Sequence, residues 1–367
     1  MTMRTKPPFR AAHVGSLLRP ASVHEARGKF VKGELDAAGL KEVEDAEIVR
    51  VIKKQEDVGL KAVTDGEFRR SWWHLDFLWG LDGVGKHVMD AGISFSGMAT
   101  RAEGIRVDGK IGYSGHPMID HFKFVQANTD RVAKITIPAP SAIYGRPTPQ
   151  PINREVYPSL DQMFEDLGQA YRKAVRAFAD AGCRYLQLDE VFIAMLCDEK
   201  YRQQMSDRGD DPVKLTQLYA DLINTAMSDI PDDMTITMHL CRGNYISTFM
   251  GEGGYEAVQD ILFNQVNVHG YFMEYDDARS GGFEPLSLLP KGKSVVLGLV
   301  TTKKGELESK DDLKRRIDEA AKFTDLDQLC LSGQCGFAST EEGNMLTEDE
   351  QWAKLARIVE VAEDVWG

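Results

Sequence analysis

The chain has 367 residues, a formal net charge of −13 and a sequence pI of about 5.2. Its hydrophobic fraction of 43% is that of a folded globular protein. The acidic balance argues against nucleic acid or an anionic membrane as the main partner, because phosphate recognition needs clustered Lys and Arg, and no apolar run approaches the roughly 20 residues that cross a bilayer.

The opening stretch, Met1–Pro8, has no apolar signal core, so a cytoplasmic location is expected. A first strand is expected at Arg10–Ser16, ending in Val14, Gly15 and Ser16. An amphipathic helix over Leu40–Val58 leads to a second strand, Lys61–Glu67, that ends in Asp65, Gly66 and Glu67. Residues 81–131 are rich in Gly and polar types, with alternating patches such as Gly104–Gly109. They read as a β-rich insertion or lid after the second strand. The third strand, Ala133–Ala139, runs into Pro140 and Ser141. A helix over Leu160–Ala181 then gives way to a fourth strand, Arg184–Glu190. The pattern continues with a helix at Pro212–Asp229 and strands at Met234–Cys241, Val268–Tyr275 and Ser294–Val300. Ser309, with acids in the following turn, reads as the N-cap of a helix over Lys310–Phe323. The eighth strand is Asp327–Ser332, and Thr347 with Glu350 forms a capping box for a last helix over Glu348–Val365.

Eight strands alternating with helices predict an α/β protein, a (β/α)₈ TIM barrel forming one domain over 1–367 with 81–131 inserted in it. A doubly wound open sheet fits less well, since no Gly-rich dinucleotide fingerprint follows the first strand. Five cysteines, an odd number and widely spaced, point to reduced thiols. Cys183, Cys197 and Cys330 are assigned to packing, Cys197 within a helix.

In such a barrel the chemistry sits where strands end. His239 and Cys241 lie one residue apart on an extended backbone, so both point to one side. With Glu274 and Cys335, also at strand ends, they make a Cys₂His set plus a displaceable carboxylate, which suits a catalytic Zn²⁺ that ionises a substrate thiol. The competing readings are a buried His–Cys core pair, a Cys335 that merely packs, and a Glu274 that pairs with Arg279. Glu67 and Asp189 can bind an ammonium group and Ser16 can donate to a carboxylate, which together describe an amino-acid thiol. Asp189 and Glu190 as rim ion-pair partners are the alternative. Trp72 and Trp73 either cover the site or pack beneath the insertion, and Lys303 and Lys304 are expected in solvent, with one of them meeting an anionic substrate as the alternative.

Taken together, His13–Ser16, Asp65–Glu67, Gln187–Glu190, His239–Cys241, the Glu274 strand and Cys335–Gly336 resemble the catalytic C-terminal barrel of the cobalamin-independent methionine synthase family. The resemblance is to its short, single-barrel members. It implies zinc held by His239, Cys241, Glu274 and Cys335, and homocysteine bound as thiolate, with Ser16 at its carboxylate and Glu67 and Asp189 at its amino group. The methyl donor it implies is a reduced folate methylated at N5, with methionine as product. Long members carry a His after the seventh strand for proton delivery to the folate. Gly298–Lys304 has none, so the general acid is unassigned. Alkyl transfer to another thiol such as coenzyme M, and a non-catalytic zinc- or thiol-binding barrel, are the alternatives. Whether the chain is a homo-oligomer is left open.

Overall fold

The computed structural model describes residues 3–95, 98–148 and 150–367. Six parallel strands lie side by side in chain order: Ile135–Pro138, Tyr185–Glu190, Thr235–Leu240, Gly270–Glu274, Ser294–Val300 and Leu329–Gly333. All are buried along almost their whole length, as expected of parallel strands covered by helices on one side and packed inward on the other. Two shorter segments close the ring. Ala62–Val63 pairs with Val132–Ala133, and Ala11 bridges to Leu331. Between these, Leu17 N–H donates to the Gly66 carbonyl at 3.0 Å and Thr64 Oγ1 to the Gly15 carbonyl at 2.7 Å. The TIM-barrel expectation is met.

The first two strands are shorter than Arg10–Ser16 and Lys61–Glu67. Alternation alone did not reveal that Gly66 and Glu67 take left-handed φ values of 64° and 63°, which turns the chain out of the ladder. The predicted third strand is split at Lys134, where the chain changes partner from Ala62–Val63 to Tyr185–Glu190.

The helices follow the sequence closely, at Ala37–Val58, Leu160–Asp180, Pro212–Met227, Lys310–Ala320 and Glu348–Trp366. Leu160–Asp180 shows why. Leu167, Ala170, Tyr171, Ala174 and Phe178 recur at three- and four-residue spacing and are all buried. Ser309 and Thr347 cap as expected, and Thr347 with Glu350 forms the full capping box, an arrangement that contributes about 1 kcal/mol.

In the expected insertion, Asp82–Val88 pairs antiparallel with Glu103–Gly112. Met118–Ala127 is a helix, so the β-rich part ends well before residue 131. Residues 96 and 97 lie outside the described residues.

Candidate active site

Register brings the donors together. Asp189 is opposite His239, which is opposite Phe272. One residue beyond the next pair, Leu240 with Met273, Cys241 follows on one strand and Glu274 on the other. Cys335 arrives from the turn after Leu329–Gly333. Gln334 fixes that turn by accepting from Thr302 N–H at 2.6 Å and Thr302 Oγ1 at 2.9 Å. A Cβ at Gly336 would lie 2.0 Å from Ser16 Oγ and would displace that hydroxyl.

One donor atom each from His239, Cys241, Glu274 and Cys335 lies within 4.8 Å of the others, and all four residues are buried. The sulfurs of Cys241 and Cys335 are 3.5 Å apart. Two thiolates in a tetrahedral shell with Zn–S bonds of about 2.3 Å would be about 3.8 Å apart. Both ring nitrogens of His239 are buried without a hydrogen-bond partner, which is costly for a group that leads nowhere. The set therefore fits a zinc ion. The two sulfurs share a hydrogen bond that holds Cys335 well below the usual thiol range and pushes Cys241 well above it. Burial works against the charged form of His239, but the nearby Cys335 sulfur and the carboxylates of Asp189 and Glu274 outweigh it and raise its pKa.

Glu274 is bound differently. Its Oε1 accepts from Arg242 N–H at 2.8 Å and its Oε2 from Arg279 Nη2 at 2.9 Å. The ion pair with Arg279 is therefore present, and the same carboxylate also lies within the donor cluster. Lys303 is not in solvent as expected. It is 9% exposed and its Nζ has no partner, and its charge lowers the pKa of Glu274 against the larger, raising effect of burial. Lys304 is exposed.

His239, Cys241 and Cys335 line a cavity of about 820 Å³ whose wall also includes Ser16, Glu67 and Asp189. Glu67 is held in its left-handed conformation by Asp65 Oδ1, which accepts from Glu67 N–H at 2.8 Å, and by Arg19, which donates to the Glu67 carbonyl at 2.8 Å. A non-glycine residue in that region costs on the order of 1 kcal/mol or more, which is characteristic of functional positions. Thr136 Oγ1 donates to Glu67 Oε1 at 2.7 Å, Arg70 lies 3.5 Å from the same oxygen, and Oε2 is buried with no partner. Burial raises the Glu67 pKa, and burial together with the charge of Glu67 raises Asp189 to about 7. Asp189 Oδ1 accepts from Gln187 Nε2 at 2.7 Å. Ser16 Oγ accepts from Ala338 N–H at 3.3 Å, leaving its own proton free.

Other strand-end groups have structural work. Glu190 accepts from Ser141 Oγ at 2.6 Å and from the Phe192 and Ile193 N–H groups, and makes no ion pair among the described residues. The His13 carbonyl accepts from Lys134 Nζ at 2.7 Å, and neither side chain lines the cavity that the donor cluster opens into. Cys183, Cys197 and Cys330 are free and buried, but Cys197 lies in a turn, not in a helix. Trp72 and Trp73 line the large cavity, and Trp72 Nε1 donates to Glu103 of the insertion at 2.7 Å, so Trp72 both covers and packs. Sequence reasoning missed Asp65, Arg70 and Thr136 as the supports of Glu67. Only Asp65, two residues from Glu67 with a Gly between, carries a local turn signal.

Residues 9–364 match the family model described as the cobalamin-independent synthase catalytic domain. The chain belongs to that family. It is a short, single-barrel member of a methyltransferase family. It is 51% identical over 366 residues, 99% of this chain and 96% of the other, to the uncharacterized protein YxjG of Bacillus subtilis. A solved structure described as a candidate vitamin-B12-independent methionine synthase of Listeria monocytogenes is 38% identical. It covers 99% of this chain and 100% of its own, with a TM-score of 0.80. The 5-methyltetrahydropteroyltriglutamate–homocysteine methyltransferase of Bacillus velezensis is 22% identical over 95% of this chain, which spans 42% of that longer protein.

Proposed function

We propose that the protein is a zinc-dependent methyltransferase that moves the N5 methyl group of a methylated reduced folate to the sulfur of homocysteine, giving methionine. The observation that carries this reading is the opening of three members of the donor cluster, His239, Cys241 and Cys335, into the same cavity as Glu67 and Asp189. Zinc bound by the four donors would act as a Lewis acid that keeps the substrate sulfur ionised at neutral pH, where a free thiol of pKa about 8.5 is mostly protonated. Glu67 Oε2 and Asp189 hold the ammonium group, Ser16 Oγ–H donates to the carboxylate, and the thiol is thereby fixed in direction for attack on the methyl carbon. A new S–C bond forms as the C–N5 bond breaks, and N5 takes up a proton. The insertion, with Trp72 and Trp73, covers the cavity and restricts water. Five buried free thiols suit a reducing compartment such as the cytoplasm, and among the described residues no helix is long and apolar enough to cross a membrane.

The deciding experiment is a donor screen with homocysteine fixed and mono- or polyglutamyl methylfolate, methylcobalamin or S-methylmethionine varied. The reading expects methionine from a methylfolate. Product from the other donors alone would remove the folate half of the proposal.

The Arg279 contact gives a prediction of its own. The guanidinium competes with the metal for Glu274 Oε2. Arg279→Met should leave that carboxylate freer to stay on the metal, slowing zinc loss to a chelator by about tenfold, the equivalent of one charge-assisted hydrogen bond. Homocysteine, which must loosen a ligand, should bind more weakly. Faster zinc loss would mean that Arg279 supports the bound carboxylate instead.

A further inference from the structure

The cavity wall carries a cation that the reaction just described does not use. Arg146 follows the third barrel strand and is 7% exposed, yet it has no carboxylate partner among the described residues. Its guanidinium donates to His74 Nε2 at 2.7 Å and contacts Met89 Sδ at 3.3 Å. Arg70, equally buried, shows the usual arrangement, lying 3.5 Å from Glu67 and donating to the Thr136 carbonyl at 2.6 Å. A buried guanidinium without an anion is unfavourable, because its lost hydration is not replaced. Burial lowers the Arg146 pKa only to about 10, so it is cationic at neutral pH.

Its neighbours are donors as well. A guanidinium can only donate, so His74 Nε2 is the acceptor and the ring proton is on Nδ1, which is buried with no partner. Burial, followed by the Arg146 charge, pushes the His74 pKa far down and keeps the ring neutral. Gln150 is 7% exposed. Its Oε1 accepts from Ile105 N–H at 3.3 Å, and its Nε2 has no partner. All three residues line the large cavity. Glu67 accepts from Thr136 and lies beside Arg70, Asp189 accepts from Gln187, and neither carboxylate pairs with Arg146. The cavity wall thus has two carboxylates suited to an ammonium group and also a guanidinium with no anion, together with the unpartnered Gln150 Nε2. Trp73 stacks on His74 with ring centroids 4.4 Å apart, giving the donor region a flat aromatic wall.

We infer that Arg146, His74 and Gln150 form a second binding site, which takes a carboxylate carried by an aromatic methyl donor. Arg146 offers the cation that matches a carboxylate, Gln150 Nε2 is a further donor, and His74 positions the guanidinium by accepting from it. The donor's identity rests on the methyl-transfer reading, whereas the anion site stands on Arg146 itself.

The test uses the full-length, zinc-loaded protein and calorimetry with p-aminobenzoylglutamate and its diamide, which differ in charge and hardly in shape. The wild-type protein should prefer the diacid by tenfold or more. Arg146→Met should lose that preference while homocysteine affinity and zinc content stay the same. Arg146→Lys should keep part of it, and Gln150→Leu should reduce diacid binding several-fold. Arg146→Met should melt at or above the wild-type temperature, since a buried unpaired charge is removed. An unchanged preference in Arg146→Met, no diacid binding by wild type, or a loss confined to homocysteine would each overturn the site. Methionine formation from monoglutamyl methylfolate separates the two claims. Diacid binding through Arg146 without turnover leaves the anion site standing and removes the folate. Turnover with unchanged kinetics in Arg146→Met does the reverse.

Discussion

Replacing Cys335 by Ser should empty the metal centre and stop thiol alkylation without unfolding the barrel. Cys335 is the sulfur whose pKa the shared hydrogen bond lowers, 3.5 Å from Cys241. A serine hydroxyl at that place stays protonated and is a poor zinc ligand. Structural zinc sites bind with about 10–16 kcal/mol, so one of four ligands is worth about 3 kcal/mol, roughly a hundredfold in affinity. The fold should be indifferent, because the turn is fixed by Gln334 and Thr302 and by the contact of Gly336 with Ser16, none of which involves the sulfur. Metal content after gel filtration, the melting curve and methionine formation read the three consequences separately. Normal zinc and normal turnover in this variant would show that the cluster is not the reaction centre.

Asp189→Asn should raise the KM for homocysteine by about ten- to a hundredfold, the value of one charge-assisted hydrogen bond to a buried group, while zinc content is unchanged. Asn keeps the shape and can still accept from Gln187, which bonds Asp189 Oδ1 at 2.7 Å, so the loss is of charge alone. A thiol without an ammonium group, such as coenzyme M, should react equally poorly with both proteins. Better turnover of coenzyme M than of homocysteine by the wild type would favour the alkyltransferase alternative. An unchanged homocysteine KM in the variant would remove Asp189 from the substrate pocket.

The part of this molecule that was legible in its sequence is the part written in short-range pattern. The apolar runs of the strands, the three- and four-residue spacing in Leu160–Asp180 and the caps at Ser309 and Thr347 are local signals, and the barrel follows from their alternation. His239 and Cys241 were visible because a strand puts alternate residues on one face. Glu274 and Cys335 entered because they end strands and because the order of motifs resembles a known family.

What escaped is long-range. Nothing near residue 67 announces that Arg19 and Thr136 hold it, since those contacts exist only once the ring is closed. Lys303 reads as a surface lysine, yet the folded chain leaves it only 9% exposed. Arg146 and His74 are 72 residues apart, and their pairing depends on two loops meeting over the cavity. Conversely, Glu190 and Ser141 had the right chemistry and position for a site. They are used on each other and on the start of the short helix Phe192–Met195.

The most direct test of the account is X-ray absorption at the zinc edge of the purified protein, recorded without and with homocysteine. Without it, the first shell should contain two sulfurs with nitrogen and oxygen completing the set. With it, a third sulfur should appear and the oxygen contribution should fall. An oxygen-rich shell, or a sulfur count that homocysteine leaves unaltered, would contradict the claim that His239, Cys241, Glu274 and Cys335 hold a metal that receives the substrate thiol.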